Sequence, residues 1–432
     1  MRTSQRAERI PTRPLPRPAG YLAGRPRPPW TAGGAGPDVL PVGPTAWLGP
    51  AAAIVVVGWG ANMFASLLQV YRDRLSALQV DGLFGAYALG LVPALLVMAR
   101  LSDRLGRRRV LLAALVVSVL GSGVILASGG AFGTILFGRV LVGISAGSAF
   151  GPGTAWIKEL SDAARAPGAG ARRAAVALTA GFAAGPFLSG VLVQWFPAPE
   201  VTSYLVHIAL VGLVLPFLRG TPETGGRGAA SRTRGGAADR GLRAVLASRV
   251  FLAAVLPTAP WVFGTATVSL AALPVLVPLG GYGPVGSGAM AAVTLGTGIL
   301  VQPWARRLAR RSPAAPLRIG MSAAVAGLLV AALTVATGAL PLLPVAAVAL
   351  GSAYGLLLMG GLRLVESLAP AKDVATAIAV FYALTYVGFA YPVLVQTLGA
   401  LVAPAAVLIA GSAVAVIAMA MTFLARSGTR SA

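Results

Sequence analysis

Long apolar segments alternate with short polar ones along most of the chain. Twelve of the apolar segments are about as long as the roughly 20 residues that an α-helix needs to cross a membrane. We therefore predict twelve membrane-spanning helices. Their approximate limits are 46–70, 80–100, 109–128, 132–157, 174–195, 203–218, 249–278, 283–304, 317–338, 341–361, 374–398 and 404–425.

Short motifs in the first half of the chain return in the second half at a nearly constant spacing. The three pairs are RLGRR at 104–108 with RLARR at 307–311, GSAFG at 147–151 with GSAYG at 351–355, and GFAAGP at 181–186 with GFAYP at 388–392. They align predicted helices 2, 4 and 5 with helices 8, 10 and 11. This repetition predicts two pseudo-symmetric six-helix halves, residues 46–218 and 249–425, in an all-α integral membrane protein.

Three polar segments lie outside the predicted halves. Residues 1–45 are rich in Pro, Arg and Gly and contain no apolar run, which predicts a disordered basic tail. Residues 219–248 are basic and Gly-rich, as is typical of a flexible linker. Residues 426–432 form a short C-terminal tail.

The composition excludes several kinds of site. Hydrophobic residues make up 56% of the chain and charged residues only 11%, against about a quarter in soluble domains. There is no cysteine and one histidine, His207. These counts exclude disulfides and leave thiolate or multi-histidine metal sites without ligands, so we predict neither a metal nor a cofactor.

The formal net charge of +23 follows from where the basic residues lie. If the N-terminus is cytoplasmic, all but three of the 35 Lys and Arg residues lie in or beside segments on the cytoplasmic side. The three exceptions are Arg72, Arg74 and Arg139. Because cytoplasmic loops are enriched in Lys and Arg, we predict a plasma-membrane protein with both termini inside. The charge then indicates the lipid bilayer as a partner and does not require nucleic acid.

The segment between predicted helices 2 and 3, residues 99–112 (ARLSDRLGRRRVLL), is here called the 2–3 loop. It resembles the signature loop of the major facilitator superfamily, with Ala99 in place of a glycine. The matching positions are Leu101, Asp103, Arg104, Gly106, Arg107, Arg108 and Leu111. The resemblance covers nearly all of residues 46–425 and implies the major facilitator fold.

The 2–3 loop also carries a gating hypothesis. The spacing lets Asp103 pair with Arg107, four residues on, and a carboxylate at this position can cap a helix N-terminus of the other half. The resemblance implies that such contacts hold the halves together in an outward-facing state. The alternative is that the arginines only set the orientation of the chain.

Two motifs within predicted helices sharpen the resemblance. GRVLVGISAG (138–147) resembles the fourth-helix motif of the family, and its Arg139 is a charge inside a predicted span, which is a functional hypothesis by default. The alternative is that Arg139 reaches the membrane surface. GFAAGPFLSG (181–190) resembles the fifth-helix motif of drug–proton antiporters. Its matching residues are Gly181, Gly185, Pro186 and Gly190, with Ser189 in place of a glycine. Close helix packing is the alternative role for this motif.

The resemblance also indicates where cargo would bind, because helices 1, 4, 7 and 10 line the cavity in this family. Candidate cavity residues on these helices and on helix 11 are Trp59, Asn62, Met63, Trp261, Phe263, Tyr354, Tyr382 and Tyr386. Each could equally serve packing alone. An aromatic pocket with few charges suits an amphipathic or hydrophobic organic molecule.

No acidic residue lies within predicted helices 1 or 4 to carry a coupling proton. We interpret Asp81 as the N-cap of helix 2, Asp73 as a solvated partner of Arg72 and Arg74, and Glu159 as a member of the Asp103 cluster. His207 can titrate near neutral pH.

These features predict a monomeric secondary transporter that exports a small organic compound in exchange for protons. An uptake symporter or a uniporter of the same fold is the nearest alternative. A membrane-embedded enzyme or a non-transporting sensor is a more distant one, because the spans carry no paired acids or histidine clusters. No phosphate-binding loop of the GxxxxGK[ST] type is present, which disfavours a primary pump.

Overall fold

The computed structural model describes residues 42–166, 169–224, 238–370 and 373–424. Most of the predicted N-terminal tail, the middle of the linker and the C-terminal tail lie outside these residues. The described residues contain helices and no strands, and twelve of the helices are long and apolar enough to cross a membrane. The prediction of an all-α membrane protein with twelve spans is confirmed.

We number the spans α1 to α12. They are α1 Leu48–Arg72, α2 Ala77–Leu105, α3 Arg107–Leu126, α4 Phe132–Ala163, α5 Ala169–Trp195, α6 Pro199–Arg219, α7 Phe251–Leu276, α8 Gly280–Arg311, α9 Ala315–Thr337, α10 Leu342–Leu368, α11 Thr376–Gly399 and α12 Pro404–Leu424. Four of them, α2, α4, α8 and α10, continue several residues past their predicted ends. Those ends carry charged residues, which end an apolar run without ending a helix.

Several spans contain irregular turns. The broken or distorted turns are Met63 in α1, Phe251–Val255 and Val268–Ala272 in α7, Val301 in α8, and Val387–Ala390 in α11. The turns at Met63, Val268–Ala272 and Val387–Ala390 lie beside residues that line the central cavity described below. Irregular backbone at membrane depth is tolerated where protein or a water-filled cavity surrounds it.

Small residues bring the helices together. A Cβ atom on Gly147 of α4 would lie 2.7 Å from the Cβ of Ala94 in α2. In the second half, a Cβ atom on Gly351 or Gly355 of α10 would lie closer still to the backbone of Thr294 and Gly298 of α8. In a membrane, where apolar surface gains little by association, such close contact is the main source of helix pairing. The α2–α4 and α8–α10 pairs therefore both pack through glycines at the helix contact.

Helices α1–α6 pack chiefly on one another, as do α7–α12. The two groups meet mainly where α5 packs on α8, with further contacts of α8 with the end of α1 and of α11 with α2. The predicted linker is not irregular throughout, because it contains the short helix Ala238–Leu246. Leu242, Val245 and Leu246 of this helix pack against the core.

We predict that Gly355→Ala lowers the melting temperature of the detergent-solubilised protein, because the added methyl would lie within 2.7 Å of the Gly298 backbone. Overpacking of this kind costs about 1–3 kcal/mol. Gly296→Ala is the matched control, since nothing lies within 4 Å of the place its methyl would take. Thermal unfolding followed by tryptophan fluorescence measures both. Equal melting temperatures for the two variants would contradict the packing described here.

Candidate functional site

A cavity of about 300 Å³ lies inside the bundle. Eight helices contribute to its wall: α1, α2, α4 and α5 of the first group, and α7, α8, α10 and α11 of the second. Most of the lining is apolar, and Arg139 is the one charged side chain among the described residues that line it. The cavity is therefore shared by both groups of helices.

The two ends of the bundle differ. We call the end with the α2–α3, α4–α5 and α8–α9 connections the basic face, and the other end the opposite face. Leu95, Thr154, Gln302 and Leu358 line the cavity from those parts of their helices that approach the basic face. The cavity thus extends from the middle of the bundle toward the basic face.

Hydrogen bonds between the two groups of helices close the opposite face. Gln69 Nε2 of α1 donates to the Pro274 carbonyl of α7 at 3.2 Å and to Ser287 Oγ of α8 at 2.9 Å. Gln194 Nε2 of α5 donates to the Gly281 carbonyl at the start of α8 at 2.6 Å. The end of the cavity at this face is sealed by uncharged groups.

The guanidinium of Arg139 lies inside the bundle and is only 2% exposed. It donates to the carbonyl oxygens of Leu83 at 3.2 Å, Ala61 at 3.3 Å and Phe84 at 3.4 Å. It also lies 4.4 Å from the ring centroid of Phe64. Arg139 therefore does not extend to the membrane surface, and within the described residues it forms no salt bridge. Backbone dipoles and an aromatic face compensate its charge.

An aromatic cluster forms much of the wall on the side of the second group. Phe263 of α7 stacks on Tyr386 of α11, with ring centroids 4.7 Å apart, and contacts Tyr354 of α10 at 5.8 Å. Phe389 of α11 lies 5.2 Å from Phe263 and 5.5 Å from Phe84 of α2. These rings offer flat apolar surfaces to a cargo molecule.

Five of the eight candidate cavity residues line this cavity: Asn62, Phe263, Tyr354, Tyr382 and Tyr386. Asn62 has a partner in its own helix, since its Nδ2 donates to the Gly58 carbonyl at 3.0 Å.

The other three candidates lie elsewhere. The Trp59 backbone packs on Gly185 of α5, Met63 is buried at the break in α1, and Trp261 packs edge-on against Tyr391. None of the three is among the described residues that line the cavity.

The sequence interpretation missed several aromatic residues of the wall. Phe150 occupies the position in GSAFG that Tyr354 occupies in GSAYG, and Phe182 and Phe389 follow the glycine in the other repeated pair. All four line the cavity. The repeat therefore contained a signal for both sides of the wall. Phe84 and Tyr87 of α2 had no such signal.

The glycines of the α5 motif lie at helix contacts. Gly181 and Gly185 face the backbone of Val55 and Trp59 in α1, and Gly190 faces Pro284 of α8. The Pro186 carbonyl accepts a hydrogen bond from Ser66 Oγ of α1 at 2.6 Å. The motif thus packs α5 closely against both α1 and α8.

The 2–3 loop carries a charged cluster at the basic face. Arg107 Nη2 lies 2.7 Å from Asp103 Oδ1 and 3.0 Å from Glu159 Oε1 at the end of α4. Arg104 is exposed. Within the described residues, Asp103 forms its ion pair inside the first group of helices. Among these residues it does not cap a helix of the second group.

Glu223, just after α6, caps the start of α3. Its two carboxylate oxygens accept the backbone N–H groups of Arg107 and Arg108, each at 2.9 Å. It occupies the space beside Gly106, where a Cβ would lie 2.7 Å from Glu223 Oε2, and Gly106 has a φ of +97°. Thr224 donates to Glu159 as well. Residues 219–224 are therefore attached to the first group and do not act as free linker.

Two predictions about acidic residues are wrong. The N-cap of α2 is Ser76, which forms a capping box with Gln79, whereas Asp81 is buried and pairs with Arg72 at 3.0 Å. Arg74 pairs with Glu200 of α6 rather than with Asp73.

His207 of α6 is buried away from the cavity. Its ring contacts Ser122 Oγ at 2.9 Å and Ser118 Oγ at 3.4 Å, both on α3. It packs α6 against α3 and against Gly60 of α1.

Comparison with known proteins supports the architecture. The sequence profile of the Major Facilitator Superfamily matches residues 50–391. No curated protein matches the chain significantly. Similar solved structures include a point mutant of the nucleoside transporter NupG, with 11% identity, a TM-score of 0.69 and coverage of 89% of this chain and 100% of that chain. A POT family transporter in complex with 5-aminolevulinic acid has 12% identity, a TM-score of 0.69 and coverage of 88% and 95%. At these identities the similarity concerns the fold alone.

We predict that Glu223→Gln loosens the attachment of residues 219–224. A neutral amide oxygen accepts one of the two N–H bonds and loses the attraction of a carboxylate for a helix N-terminus. Hydrogen exchange at the first turn of α3 is expected to speed up about tenfold. Glu366→Gln, at an exposed acid of α10 near the same face, is the control. Unchanged exchange in Glu223→Gln would show that the cap contributes nothing.

Proposed function

The chain belongs to the major facilitator superfamily, and from this premise we propose that it is a secondary active transporter working by alternating access. The observation that carries the proposal is the cavity that both groups of helices line and that uncharged hydrogen bonds close at one face. Paired repeats around a central site are the usual architecture for such transport. The moving parts would be the two halves, residues 46–218 and 249–425.

The basic face is proposed to be cytoplasmic, in the plasma membrane, because nearly all Lys and Arg residues lie on that side. The conformation described above is then inward-facing. The alternative outward-facing state requires that the hydrogen bonds of Gln69 and Gln194 to α7 and α8 break. These bonds are few and uncharged, so breaking them costs little within a transport cycle.

The proposed cargo is a small organic compound with an aromatic or amphipathic body. Stacked rings from α2, α7, α10 and α11 form a surface on which a flat molecule can pack. Each aromatic pair contributes about 0.5–1.5 kcal/mol beyond the area that it buries. Since the described lining carries one positive and no negative side chain, neutral or anionic compounds suit it better than cations.

The proposed direction is export in exchange for protons, with drug resistance as a consequence where the cargo is toxic. The support is the α5 motif, which resembles that of drug–proton antiporters and whose glycines pack α5 against α1 and α8. An uptake symporter or a uniporter would use the same cavity and the same closure.

The test of this proposal is proton movement in sealed proteoliposomes with an imposed pH gradient, during a screen of neutral, anionic and cationic aromatic compounds. We expect a subset to dissipate the gradient in the exchange direction. Phe263→Ala should raise the KM for that subset about tenfold, since it removes the central ring of the cluster. Phe137→Ala, at an exposed ring of α4, is the matched control. Cargo flux without proton movement would refute antiport and leave a uniporter or another coupling ion.

For the 2–3 loop we propose the gating role that its sequence suggests, with Asp103 binding the second half only in the outward-facing state. Asp103→Asn is expected to leave folding intact, because Glu159 still pairs with Arg107 at 3.0 Å and an exposed ion pair contributes only about 0.2–1 kcal/mol. Transport in the proteoliposome assay should fall at least about tenfold. Asp162→Asn, at an exposed acid near the end of α4, is the control. Equal transport rates in the two variants would exclude the gating role.

A further inference from the structure

A carboxylate is buried near the opposite face, outside the cavity wall. Asp81 lies in the second turn of α2, and its side chain is 1% exposed. Among the described residues the only other buried acid is Asp373, before α11. Burying a carboxylate is costly unless it is paired, so the surroundings of Asp81 require an explanation.

Asp81 faces groups from two other elements. Arg72 at the end of α1 places Nη2 3.0 Å from Asp81 Oδ1 and is, among the described residues, the one charged group that acts on it. The Gln396 amide of α11 lies near the same carboxylate. Asp81 Oδ2 and Gln396 Nε2 are both buried without a hydrogen-bond partner of good geometry. One oxygen of the carboxylate is thus paired, and the other is not.

The position of Asp81 connects it to both the cavity and the closure. It lies one helical turn from Phe84, whose ring lines the cavity and whose carbonyl oxygen binds Arg139. It also lies where α2 of the first group meets α11 of the second. A change of charge here acts on a contact that has to open for the opposite face to open.

We propose that Asp81 is a protonation switch of the opposite face: protonation of its carboxylate favours the opening of this face. In the closed state the charged carboxylate pairs with Arg72 and lies beside the Gln396 amide. A proton taken up from the solution at the opposite face converts the carboxylate into a neutral acid and forms one O–H bond. The ion pair with Arg72 is then lost, and the Gln396 amide of α11 no longer faces a negative charge, so the contact between α2 and α11 weakens. This inference rests on the proposed alternating access, for which it names a switch at the face that has to open. The proton returns to the solution from which it came, so the switch is separate from the step that exchanges protons for cargo.

The proposal can be tested without any cargo, because the chain contains no cysteine and accepts site-directed spin labels without background. Labels at Leu78→Cys of α2 and Leu398→Cys of α11 are placed at exposed positions near the opposite face. Double electron–electron resonance then measures their separation in lipid nanodiscs as a function of pH. We expect the distribution to shift to longer distances as the pH falls.

Three variants of the labelled protein decide the assignment. Asp81→Asn mimics the protonated acid, so it should show the low-pH distribution at every pH. Arg72→Gln removes the partner that favours the charged form, so its transition should move to higher pH, by roughly 1–3 pH units. Asp73→Asn, an exposed acid nearby, should titrate like the unmodified sequence.

A pH response that persists unchanged in both Asp81→Asn and Arg72→Gln would overturn the assignment. So would the absence of any pH response in the unmodified sequence, or its loss in Asp373→Asn alone. Failure of the proteoliposome screen to find exchange would refute antiport but would leave these distances unaffected, so the two proposals fail separately. If Asp81→Asn does not fold, the shift of the pH transition in Arg72→Gln still tests the assignment to Asp81.

Discussion

A buried positive charge without a carboxylate partner is the constraint around which the first group of helices is arranged. Arg139 cannot lose its proton in a protein, so its guanidinium needs acceptors inside the membrane. The carbonyl oxygens of Ala61, Leu83 and Phe84 supply them. Each already belongs to a helix, so α1 and α2 must both approach α4 closely. The helix break at Met63, two residues from Ala61, accompanies this approach.

The helices can approach this closely only because the residues at their contacts have small side chains or none. Gly90, Gly143 and Gly147 remove the side chains that would separate α2 from α4. The same kind of contact recurs between α8 and α10, where no buried arginine is present among the described residues. Close helix packing therefore occurs in both repeats, whereas a buried arginine is found only in the first half of the described residues. The cavity wall is therefore asymmetric: the first group of helices contributes the charge of Arg139, and the second group contributes most of the aromatic cluster.

The two faces of the bundle use different interactions for different purposes. At the basic face, the charged cluster of Asp103, Arg107, Glu159 and Glu223 binds segments of the first group to one another. At the opposite face, neutral hydrogen bonds join the first group to the second. Charged contacts thus hold segments of one half together, and uncharged hydrogen bonds connect the halves at the opposite face. This division suits the proposed rocking of the two halves around the central cavity.

The number of spans, the all-α class and the family could all be predicted from the amino acids alone, because length, apolar composition and local motifs are properties of neighbouring residues. The same reading indicated five cavity residues on helices 1, 7, 10 and 11. Which face of each helix turns inward became known only from the packed bundle, in which Trp59, Met63 and Trp261 lie outside the cavity lining. Partners distant in the chain were likewise invisible: Asp81 with Arg72, and Glu223 with the start of α3. The physical reason is that burial and charge pairing depend on which helices meet, and a membrane sequence that is apolar on every side does not specify this.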